Sequence, residues 1–75
     1  MNIFKKKYDK ELDALLTEMK MDASNNYKDN AQRTFQKFKD RLDEMQKAGL
    51  LNDRQLAYYT ELREQYDKEL MGFHH

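Results

Sequence analysis

The chain has no cysteine, no proline and no valine, and its only isoleucine is Ile3. Missing cysteine excludes disulfides, thiolate metal clusters and thiol chemistry. Missing proline leaves long helices unbroken, and the scarcity of valine and isoleucine argues against a sheet. Glycine occurs only at positions 49 and 72. No excess of one charge exists either: 14 Lys and Arg face 14 Asp and Glu. That balance speaks against a polybasic nucleic-acid binder and against an acidic mimic of one. No apolar run is long enough to cross a membrane. The opening Met1-Asn2-Ile3-Phe4 followed by three lysines lacks the apolar core of a secretory signal, so a cytoplasmic location is expected.

What is present is helix-forming and periodic. At 100° per residue, Phe4, Tyr8, Leu12, Leu15 and Met19 share one arc, with Leu16 at its edge. Tyr27, Ala31, Phe35, Phe38, Leu42 and Met45 form a second arc, opposite Asp29, Arg33, Gln36, Asp40, Glu44 and Lys47. Leu56, Tyr59, Leu62, Tyr66, Leu70 and Phe73 form a third. The spacing predicts an all-α domain over residues 1–75, a three-helix bundle with helices at 3–21, 25–48 and 53–72. A chain of 75 residues buries a limited core, so self-association is expected to supplement it.

The joint between the second and third helices is specified residue by residue. Gly49 suits the left-handed conformation that ends a helix, with Leu50 folding back towards Met45. Asn52 and Gln55 have the spacing of a capping box, and Leu51 can staple onto Leu56. The first joint is less defined. Asp22-Ala23-Ser24-Asn25-Asn26 is rich in residues that turn or cap, which predicts a turn with the next helix starting from Ser24 or Asn25; no glycine marks the stop, so the alternative is a kinked continuous helix.

No pattern of residues carries chemistry. The lysines Lys5, Lys6 and Lys7 are too few for stable membrane attachment and are interleaved with acids. His74 and His75 are adjacent and share no helical face, so no metal site is expected there. The carboxylates fall on wet faces beside bases, as in Asp43 with Lys47 and Glu64 with Lys68, and no nucleophile–base pair or phosphate loop is present. The expectation is a protein without enzymatic activity, cofactor or metal. The pentapeptide Tyr8-Asp9-Lys10-Glu11-Leu12 recurs as Tyr66-Asp67-Lys68-Glu69-Leu70, at opposite ends of parallel helices, and reads as structural.

Five apolar residues fit a single core least well: Ile3, Leu16, Met21, Tyr58 and Met71. Together they are the candidate interaction surface, for a dimer of this chain or for another protein. Tyr58 in particular projects beyond the edge of its stripe. The alternative function is that of a nucleic-acid-associated helical accessory protein using Lys5, Lys6, Lys7 and the basic side chains of the second helix.

From Ala48 to Tyr66 the run Ala-Gly-Leu-Leu-Asn-Asp-Arg-Gln-Leu-Ala, then Leu62-Arg63-Glu64-Gln65-Tyr66, resembles the small bacterial YnzC-like proteins. Its turn also resembles the short C-terminal (SHOCT) domain. Asn52 stands where those families usually carry threonine. The resemblance covers about a quarter of the chain; it implies a helical hairpin and lends no activity. Lys10-Glu11-Leu12-Asp13-Ala14-Leu15-Leu16 is partly similar to the sporulation-type aspartyl-phosphate phosphatases. Asp9 and Lys10 replace the Ser-Gln of that motif, so no catalytic role is carried over.

Overall fold

A computed structural model describes residues 9–70. Ile3, Phe4, the three lysines, Tyr8, Met71, Phe73 and both histidines lie outside that range. Among the described residues three helices run up, down and up: α1 (Lys10–Ser24), α2 (Lys28–Lys47) and α3 (Asp53–Leu70). There is no strand among the described residues.

Helix α1 begins later than the expected boundary at residue 3. Asp9 has an extended backbone, and its carboxylate accepts the Leu12 N–H at 2.9 Å, so it caps the helix. Glu11 and Asp13 follow in the first turn, where negative charge suits the helix dipole. The helix also ends later, at Ser24 instead of residue 21. Asn26 takes a left-handed conformation, with φ of 66°. The Asn26 N–H then donates to the Ala23 carbonyl at 3.2 Å and the Tyr27 N–H to that of Asp22 at 2.8 Å. These two bonds are the Schellman closure of a helix C-terminus. The Asn-rich tract therefore stops α1 and does not start α2.

Helix α2 in turn starts at Lys28, not at residue 25, and its 20 residues make a rod of about 30 Å. Its cap residue Tyr27 makes no side-chain capping bond and is 58% exposed, against the expectation that it packs in the dry stripe. The rest of that stripe is buried: Ala31, Phe35, Phe38, Leu42 and Met45. The six polar residues named for the opposite face are all exposed.

The second bend follows the sequence closely. Gly49 has φ of +71°, its N–H donates to the Gln46 carbonyl at 3.1 Å, and the Leu50 N–H donates to that of Met45 at 3.0 Å. Two reciprocal bonds then open α3. The Gln55 N–H donates to Asn52 Oδ1 at 2.8 Å, and the Asn52 N–H donates to Gln55 Oε1 at 3.0 Å. The Leu50 side chain stays mostly exposed, whereas Leu51 and Leu56 pack against the core.

The core is unevenly shared. Leu12, Leu16 and Met19 come from α1, five residues come from α2, and Tyr59 is the one fully buried side chain of α3. Leu56, Leu62, Tyr66 and Leu70 are half-buried against that cluster. Helix α2 accordingly packs far more closely on α1 than on α3.

Candidate functional site

Tyr59 is where all three helices meet. Its ring lies 6.2 Å from that of Phe38, tilted by 59°, and Phe38 stacks on Phe35 at 6.0 Å. Its hydroxyl reaches the start of α1, where it donates to Asp13 Oδ1 at 2.7 Å and accepts the Asp9 backbone N–H at 2.7 Å. One phenol thereby satisfies a first-turn carboxylate and an N–H outside the helix ladder. Burial, and then the bond to Asp13, push the Tyr59 hydroxyl well above the usual tyrosine range, so it stays a neutral donor at physiological pH. Among the described residues no buried polar side-chain atom lacks a partner.

Beside this junction, Tyr58 sets its ring edge-on against Tyr59, with centroids 4.9 Å apart and an interplanar angle of 72°. The rings of Phe35, Phe38, Tyr59 and Tyr58 thus form a series leading from the core to the surface, where Tyr58 is 41% exposed. There Tyr58 and Leu62 of α3 face Asp13, Leu16, Thr17 and Lys20 of α1 across a shallow open groove of about 310 Å³. Asp13 and Lys20, seven positions apart, lie two helical turns from one another, about 10 Å along the axis. The Lys20 ammonium also sits 5.8 Å from the Tyr66 ring centre.

Of the five residues singled out as a surface, two meet in this groove. Tyr58 is partly exposed, as its angular position requires. Leu16 is buried, with 5% of its surface exposed, because α3 arrives on the edge of the α1 stripe where it sits. It is the floor of the groove and a core residue, which corrects the reading of Leu16 as a poorly accommodated side chain. Met21 is 59% exposed but does not line the groove; its position on α1 is on the far side of the helix from Leu12 and Met19. Ile3 and Met71 lie outside the described residues. Asp13, Thr17, Lys20 and Leu62 complete the groove; the first three share one face of α1, but only the crossing of α1 and α3 sets them against Tyr58 and Leu62, which no local spacing reports.

Charges elsewhere form links between helices. Asp43, expected to pair with Lys47 along its own helix, instead accepts from Arg63 of α3 at 2.8 Å. Lys39 lies 3.5 Å from Asp67, and Arg41 reaches both Glu11 and Glu44 at 3.0 Å. Two of the basic side chains of α2 are therefore matched with carboxylates. Among the described residues no group of His, Asp or Glu is arranged to hold a metal ion, and no helix is long and apolar enough to cross a membrane. No family model, curated protein or solved structure matches this chain.

Proposed function

We propose that this protein acts by protein–protein contact, and that the groove between α1 and α3 binds a second copy of the chain. The observation that carries this reading is a half-exposed tyrosine beside an apolar floor, bounded on α1 by opposite charges. Tyrosine in such a position presents a rigid ring with a polar edge, the combination enriched in protein interfaces. Asp13 and Lys20 make the groove self-complementary. A second molecule laid antiparallel sets each Lys20 against the other molecule's Asp13, which is the reciprocity that a two-fold interface requires. Equal numbers of positive and negative side chains remove any net repulsion between the copies. The small core of a domain this size gives the pairing a physical purpose, since burying the groove adds to a limited apolar interior.

Sedimentation velocity over a concentration series tests the reading. The chain should move from monomer to dimer within the micromolar range, and Tyr58→Glu should hold it monomeric with unchanged helix content. A chain that remains monomeric at high micromolar concentration refutes self-association.

A further inference from the structure

Helix α3 is attached differently from the other two. Among the described residues, eight of the nine buried apolar side chains belong to α1 and α2, and α3 supplies only Tyr59. Leu56, Leu62, Tyr66 and Leu70 pack against the cluster only half-buried, and the polar ties of α3 to α2 lie near the surface: Arg63 to Asp43 at 2.8 Å, Lys39 to Asp67 at 3.5 Å, and Gln32 Nε2 to the Leu70 carbonyl at 3.0 Å. Solvated pairs of this kind hold an element weakly. The bend before α3 is also self-contained. The bonds that finish α2 run between residues 44 and 50, and those that start α3 run between residues 52 and 56. Neither helix end needs the docked position of α3 to satisfy its backbone, so the chain between them can pivot at no cost in caps.

We propose that α3 is a releasable helix: it swings away from the α1–α2 hairpin as a unit, and the Tyr59 hydroxyl on Asp9 and Asp13 is the clasp that limits how often it does so. Release withdraws the Tyr59 ring from Phe38 and bares the side of the hairpin on which it lay. The α1–α2 pairing stays intact, because α2 packs far more extensively on α1 than on α3.

Residue-resolved amide hydrogen exchange on the full chain tests this. Amides of α3 should share one opening reaction and exchange on the order of tenfold or more faster than the buried turns of α1 and α2. Asn26→Ala weakens the first bend equally whether α3 is docked or released. It should speed α1 and α2 amides roughly fivefold and leave α3 rates unchanged; Asn26→Gly should slow α1 and α2 a few-fold, again without touching α3. Tyr59→Phe should speed α3 amides about tenfold, with the same factor in α1 and α2, whose exchange passes through the released state. Should both Asn26 variants shift α3 by the factor seen in α1 and α2, the molecule opens all at once and the proposal fails. Unchanged α3 exchange in Tyr59→Phe removes the clasp.

Discussion

The two joints of this molecule are built on opposite plans. Between α1 and α2 the bend is makeshift: an asparagine, Asn26, holds the left-handed position, and Tyr27 starts the next helix with no capping side chain. The helices it joins, however, carry eight of the nine buried apolar residues among those described. Between α2 and α3 the bend has a glycine stop and a reciprocal capping box, while α3 brings to the contact one buried side chain, Tyr59, and four half-buried ones. A fully buried side chain contributes about 1.5–3 kcal/mol, more than the roughly 1 kcal/mol at stake in a typical cap. Where burial is large, the local sequence is free to be imperfect. Where burial is small, the local sequence must set the geometry itself.

Substitutions at matched positions sharpen or break that contrast. Phe38→Ala should have the largest effect, about 3–5 kcal/mol, since it removes the ring between Phe35 and Tyr59. Denaturant unfolding should find the variant largely unfolded, and a loss below about 1 kcal/mol would mean that the buried interface does not dominate. Gly49→Ala comes next, at about 1–2 kcal/mol. A Cβ there meets nothing within 4 Å, so the loss comes from the backbone alone at φ of +71°. Tyr27→Asp should have the smallest effect and the opposite sign. An acceptor at the uncapped start of α2 should stabilise by about 0.5–1 kcal/mol, read as a higher unfolding midpoint. If Tyr27→Asp gives nothing, the first bend is less makeshift than its hydrogen bonds imply.

The same contrast explains what could be read from the sequence. The second bend was legible because every signal for it, Gly49, Asn52 and Gln55, lies within seven residues and acts on its own backbone. The first was legible only as a turn. Asparagine serves equally as a helix start and as a left-handed stop, and Asn26 took the second role. Tyr27 leaves the stripe that its spacing predicts because its φ of −95° and ψ of 68° are not helical. The repeated pentapeptide shows how far context decides. Asp9 caps α1, whereas its counterpart Asp67 sits inside α3 and reaches Lys39. The groove and the bonds of the Tyr59 hydroxyl join residues 38 to 50 positions apart, and no local period reports such a meeting.

Tyr59 holds the weaker joint, and its ionisation reports that role directly. A phenol whose folded pKa is raised stabilises the fold fully below the unfolded value near 10, and that stabilisation is lost as the pH rises above it. The decisive measurement is an alkaline titration followed at the ring resonances of Tyr59. It should ionise above the usual tyrosine range and in step with the loss of its contact to Phe38. Ionisation at the ordinary value, with the ring still packed on Phe38, would contradict the account.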